Sequence, residues 1–204
     1  MRPANRAAFV LILLAALAVA ATAQDKLEVF VGYSYFRPSM TYEQSFQCEA
    51  IIGCPPPPPV FVTAHPNLNG YEFSATYKLK PWLGVTGDFS GHYGTVASHS
   101  SAHVQTFLFG PEVSLPAKVS PFVHLLLGGA HESIGSSIGS LGGLPASILP
   151  TSGNSFAAAL GAGIDLGLTR FISVRPVQVD YLLTRAYSTT QNQPRASAGV
   201  VLRF

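Results

Sequence analysis

The sequence predicts an all-β chain that folds as a closed, antiparallel, eight-stranded transmembrane barrel. Three observations predict it. Apolar and polar residues alternate with period two over eight long segments. The connections between those segments are alternately short and long. Charged residues make up 11% of the chain, against about 25% in an ordinary soluble domain.

The first 23 residues stand apart. Arg2 and Arg6 give a positive start, and Ala7 to Ala23 carries no charge. Ala21-Thr22-Ala23 then supplies the small-x-small pattern of a cleaved export signal, with the cut expected between Ala23 and Gln24. A retained spanning helix needs about 20 apolar residues, more than this run offers. Residues 24–204 form the expected barrel domain, with ten basic and ten acidic residues once Arg2 and Arg6 are removed. A neutral chain without a basic stripe does not point to a nucleic-acid partner.

Each strand has two unlike faces. Leu27, Val29, Val31, Tyr33 and Tyr35 share a face of the first. In the second, Tyr71, Phe73, Ala75, Tyr77 and Leu79 alternate with Glu72, Ser74, Thr76 and Lys78. Strands three to five cover Leu83 to Ser90, His103 to Val113 and Phe122 to Gly129. In the sixth, Phe156, Ala158, Leu160, Ala162, Ile164 and Leu166 oppose Ala157, Ala159, Gly161, Gly163, Asp165 and Gly167. The seventh runs from Phe171 to Thr184, and its parity changes at Pro176, which predicts a β-bulge there. The eighth, Arg195 to Phe204, alternates cleanly. Most segments have the roughly 9–11 residues that a tilted strand needs to cross a bilayer.

Tight connections fall at Lys80-Pro81, Leu115 to Ser120 and Thr169-Arg170. Long ones fall at 38–69, 91–102, 132–153 and 186–194. Short turns at one end and long loops at the other are the habit of outer-membrane barrels. A lipocalin-like soluble barrel would turn its apolar face inward; the small and charged residues of the other face suit a narrow lumen better.

The polar face sorts by depth. Glu28, Lys78, Glu112, His124, Asp165, Arg175 and Arg203 fall toward the turn end and predict a plug of ion pairs. Glu72, Asp88 and Asp180 form a higher acidic layer, able to attract a cation but expected to be solvated through the loop end. Eight strands enclose a bore that side chains roughly fill, so no wide channel is expected. A gated narrow pore is the alternative.

The chain resembles the OmpA-like and OmpX-like eight-stranded barrels. The resemblance is carried by Gly32-Tyr33-Ser34-Tyr35, Phe109-Gly110-Pro111-Glu112-Val113, Pro121-Phe122-Val123-His124, Arg175 through Asp180-Tyr181, and Val201-Leu202-Arg203-Phe204. It implies an outer-membrane location, with membrane lipid and lipopolysaccharide as neighbours. It also implies that Phe204 is the signal read by the barrel-assembly machinery. The sequence ends at Phe204, so the peptidoglycan-binding domain of full-length OmpA is not expected.

The first long loop holds both cysteines, Cys48 and Cys54, and a disulfide is plausible in an oxidising compartment. No ligand spacing suggests a metal or other cofactor. The third long loop, rich in Gly and Ser, is expected to be mobile. His131-Glu132-Ser133 resembles the His-x-Ser of outer-membrane lipid A deacylases, but Ile134 follows where those enzymes have Asn. A non-enzymatic barrel for envelope integrity or surface contact is therefore the leading expectation. A narrow pore and a lipid-modifying enzyme are the alternatives; the surface ligand is left open.

Overall fold

The computed structural model describes residues 26–46, 60–96, 100–135, 137–141, 144–148, 151–186 and 189–204. The export signal with Ala23 and Gln24, and the pair Cys48 and Cys54, lie outside the described residues.

Twelve strands are described. They are β1 (Leu27–Phe36), β2 (Met40–Phe46), β3 (Val60–Ala64), β4 (Leu68–Lys80), β5 (Leu83–Val96) and β6 (Ser100–Ser114). Then come β7 (Val119–Ile134), β8 (Ser137–Leu141), β9 (Leu144–Ile148), β10 (Thr151–Gly167), β11 (Ile172–Ala186) and β12 (Thr189–Arg203). Eight of them close a barrel in the order β1-β12-β11-β10-β7-β6-β5-β4. All of its neighbouring pairs are antiparallel. The closing seam runs from Glu28 opposite Arg203 to Phe36 opposite Arg195. Closure leaves no unpaired strand edge, which is what a sheet needs to sit in hydrocarbon.

The faces fall as the period-two pattern predicts. Phe107 and Leu160 are 65% and 62% exposed on the outside, with Phe109, Leu125, Leu127 and Phe156 beside them. On β10 the outward apolar row runs from Phe156 to Leu166, eleven residues, enough to cross the hydrocarbon. Polar outward residues mark its upper limit: His131 Nδ1 lies 2.6 Å from Asn154 Oδ1. Lys80 over the Trp82 ring and Arg170 over the Phe171 ring mark the turn end. Aromatic and long basic side chains favour such polar–apolar boundaries.

The bulge in β11 sits where proline forces it. The pairing register shifts between Arg175 and Gln178 against β12, and between Ile164 and Leu166 of β10 on the other flank. One extra residue on β11 accounts for both shifts. Its effect on side chains is decisive. Residues three apart on a regular strand face opposite ways, yet Arg175 and Gln178 are both buried inside.

The long connections differ from expectation. Strands run well into 38–69, 91–102, 132–153 and 186–194: β5 reaches Val96, β6 starts at Ser100, β7 reaches Ile134 and β12 starts at Thr189. Segments read as loop also build a second, four-stranded sheet in the order β3-β2-β9-β8. Met40 pairs with Ala64, and Gln44 with Ile148. The segment 132–153, expected to be mobile, thus contributes paired strands. The Gly and Ser content suggested a free loop, whereas residues 137–141 and 144–148 pair as an antiparallel hairpin.

A charge placed on the outer apolar row tests the lipid-facing assignment. Leu160→Arg is expected to lower stability by about 2–4 kcal/mol, and Asn154→Arg by about 0–1 kcal/mol, in urea titrations of the barrel folded into lipid vesicles. Equal effects at both positions would contradict a membrane belt ending between them.

Candidate functional site

Three polar levels and an apolar cap fill the lumen. At the turn end, Glu28 lies between Lys78 at 3.2 Å and Arg203 at 3.0 Å. Lys78 Nζ also donates to Glu112 Oε1 and to Ser114 Oγ, both at 2.8 Å. Thr86 donates to the other Glu112 oxygen at 3.2 Å, and Thr76 stands 2.8 Å from Thr86. These partners come from β1, β4, β5, β6 and β12, so the pairs tie the cylinder across its bore.

The middle level belongs to Arg175. Its guanidinium donates to both oxygens of Asp165, from Nε at 2.7 Å and from Nη2 at 3.0 Å. This two-pronged geometry is the strong form of the pair. The rings of Phe30 and Phe122 flank the cation, with centroids 4.6 and 4.1 Å from Cζ. Cation–π contacts of this kind gain strength in a desolvated setting. The flat stacking depends on small neighbours: a Cβ on Gly199 would meet the backbone of Val31 and the ring of Phe30.

Gln178 joins this level to the next. Its Oε1 accepts from Arg175 Nη1 at 2.6 Å, while its Nε2 donates to Glu72 Oε1 at 2.7 Å and to Asp180 Oδ2 at 2.9 Å. The β11 bulge makes that bridge possible by turning Gln178 inward.

Arg195 occupies the centre of the upper level. Its Nε donates to Asp180 Oδ2 at 2.8 Å, and its Nη1 to Asp88 Oδ1 at 2.8 Å and to Ser90 Oγ at 3.1 Å. Nη2 is also 2.8 Å from Asp180 Oδ2, close enough for ion pairing but not aligned as a hydrogen bond. Glu72 Oε2 lies 3.5 Å from Nε. His124 Nε2 meets the remaining Asp180 oxygen at 2.8 Å. A relay of Ser197, Ser34 and His92 extends from Glu72, with 2.9 Å between the two serines and 2.9 Å from Ser34 to His92 Nε2. Gly161 gives the Asp180–His124 pair its space, because a Cβ there would collide with both side chains.

One expectation is corrected here. The acidic layer of Glu72, Asp88 and Asp180 is not solvated through the loop end. Those residues are 0%, 1% and 0% exposed and surround Arg195, itself 1% exposed. Arg195 fills the place in which a bound cation was considered. His124 stands directly across from Glu112 of the turn-end set and also reaches the upper layer through Asp180. Of the turn-end set, Glu28, Lys78, Glu112 and Arg203 meet in one cluster and Asp165 with Arg175 in a second. Phe204 completes the seam: its N–H donates to the Leu27 carbonyl at 2.8 Å.

Arg195 and Gln178 were not singled out from sequence. The available signal for Arg195 was its parity with Ser197 and Arg203 on the inward face of β12. Gln178 required the bulge to be followed through to its effect on side-chain direction.

Above Arg195 a buried apolar cluster stands beside Gln193, which donates to Thr184 at 2.9 Å. Phe36, Leu68, Val104, Leu108, Leu126 and Leu182 are buried together at or near 0% exposure. Met40 joins them, and Val62 and Ala64 of β3 pack against the cluster from the small sheet. The second sheet is therefore fastened to the barrel's contents.

Outside, His131 is exposed and engages Asn154, while Ser133 is half-buried. No hydrogen bond joins His131 to Ser133 among the described residues, and a hydroxyl nucleophile needs that contact for activation. Among the described residues no group of three His, Cys, Asp or Glu side chains is arranged to hold a metal ion.

Closed barrels of this shape are known. The chain superposes on Ail, the attachment invasion locus protein of Yersinia pestis, with TM-score 0.54 and 16% identity, covering 89% of this chain and 100% of Ail. It matches Neisserial surface protein A with TM-score 0.54 and 14% identity, over 86% of this chain and 97% of that one. OprG of Pseudomonas aeruginosa gives TM-score 0.50 and 9% identity, over 89% and 97%. No protein-family model matches the sequence, and no curated protein does. At these identities the likeness establishes the fold, which is that of eight-stranded outer-membrane barrels.

Removing the central cation leaves three carboxylates facing one another in a dry space. Arg195→Met is expected to cost about 3–5 kcal/mol, measured as a lower urea midpoint of the folded barrel. Gly161→Ala, which must push aside the Asp180–His124 pair, is expected to cost roughly 1–3 kcal/mol.

Proposed function

We propose that this protein is a sealed outer-membrane barrel whose work lies at the cell surface, in envelope integrity or surface contact. The observation that carries the reading is the filled lumen. Ion pairs occupy its lower half and an apolar cluster caps the upper half, which argues against passage of solutes. The second sheet supports surface display. It extends the loop end and is held in place by packing onto the cap.

The structures that this chain resembles are consistent with this reading. One is an attachment and invasion protein and another a surface protein. Ail has also been solved with the heparin analogue sucrose octasulfate. Segments 38–69, 91–102, 132–153 and 186–194 contain no Lys or Arg and three acids, Glu43, Glu49 and Glu132. Glu132 is half-buried, and Arg37 is exposed at the edge of the first segment, so the loop end carries little net charge.

Two measurements test the proposal. Planar bilayers containing the purified barrel are expected to stay electrically silent; steady ohmic conductance would sink the sealed-lumen reading. Orientation is checked in a background with Cys48 and Cys54 changed to Ser. A membrane-impermeant maleimide should label Thr63→Cys on intact cells, and Lys118→Cys only after the outer membrane is opened. The reverse pattern would overturn the surface assignment.

A further inference from the structure

The end of the barrel opposite the loops carries a feature that the surface role does not use. A cavity of about 770 Å³ opens there, ringed by Lys26, Lys78, Lys80, Lys118, Arg170 and Arg203. These are six of the ten Lys and Arg residues in 24–204. One acid, Glu28, is among the lining residues, and it is already paired with Lys78 and Arg203.

The supply of cations follows the topology. Each turn at this end brings one: Lys80 before the β4–β5 turn, Lys118 in the β6–β7 turn and Arg170 in the β10–β11 turn. Lys26, just before β1, adds a fourth. Their side chains come from separate connections yet converge on one bowl. Like charges so gathered repel one another, and the arrangement gains most from a ligand carrying several negative charges. Lysine ammonium groups act as compact point charges and suit phosphate oxygens. Leu79, Pro81, Pro116 and Leu168 supply apolar wall between the cations. Trp82 and Phe171 stand beside Lys80 and Arg170, at the level where lipid headgroups begin.

We propose that this bowl is a binding site for a phosphate-bearing anion with two or more negative charges. Its natural source is either the headgroup of an anionic phospholipid in the adjoining leaflet or a soluble organic phosphate. Binding itself does not depend on the proposed surface role, so failure of one leaves the other standing.

The test titrates inorganic tripolyphosphate into the barrel held in phosphatidylcholine nanodiscs, read by calorimetry. Saturable binding that weakens with added salt is expected. Combining Lys80→Gln, Lys118→Gln and Arg170→Gln should weaken it by about tenfold or more. These three side chains are exposed, and heat-dependent gel migration checks that the variant still folds. Arg37→Gln, on an exposed residue at the loop end, should leave the affinity unchanged. Repeating the titration in nanodiscs containing cardiolipin, whose headgroup carries two phosphates, separates the sources. Weaker tripolyphosphate binding there indicates competition by lipid headgroups, and equal binding indicates a soluble ligand. No saturable binding to the native barrel, an unaffected triple variant, or an equal loss with Arg37→Gln would each overturn the proposal.

Discussion

The structure depends on one buried guanidinium. Arg195 is surrounded by Asp180, Asp88 and Glu72, contributed by β11, β5 and β4. Charges taken out of water are tolerable only when each finds opposite partners. Its geometry therefore constrains strands on opposite walls of the cylinder at once. The Asp88 contact links residues 107 apart in sequence. Through Asp180 and Gln178 the same centre reaches His124 and, one level down, Arg175 with Asp165. A shift of a single residue in the register of β12 would turn Arg195 outward into the apolar belt.

Such a centre has particular value in a membrane. Lipid tails are as apolar as leucine, so the outer face gains little by choosing one arrangement over another. Specificity has to come from backbone pairing and from what lies inside. Small residues line the bore at the polar levels, where Gly161, Gly199 and the serines leave space for long charged side chains. Toward the loop end Leu, Val and Phe join the inward positions beside Gln193 and Thr184, and ordinary hydrophobic burial adds to the polar contacts. The two halves are complementary: the lower gives directional contacts, and the upper excludes water from them.

Much of this was legible in the sequence because strand parity is a local property. The faces of β10 and β12, the bulge at Pro176 and the inward direction of Glu28, Lys78, Glu112 and Arg203 all follow from alternation along one strand. What escaped was set between strands. The Asp180 contact of His124 and the partners of Arg195 depend on which strands face each other across the bore. The apolar cap escaped for another reason. Leu108 and Leu126 were on the inward face by parity, but their outward neighbours are apolar too, so composition did not distinguish them. The small sheet pairs β2 with β9, about a hundred positions later, and no short-range pattern announces such a partner.

The uneven placement of cations has a consequence for how the molecule reaches its final position. A barrel entering a bilayer from one side must carry its far connections through the acyl interior, where each Lys or Arg costs about 2.5–3.5 kcal/mol on insertion scales. Segments 38–69, 91–102, 132–153 and 186–194 contain neither residue type, which lowers the cost of such a passage. Under the proposed orientation, Lys80, Lys118 and Arg170 sit in the short hairpins that stay behind at the water boundary. On that reading the distribution of two amino acids favours one direction of entry.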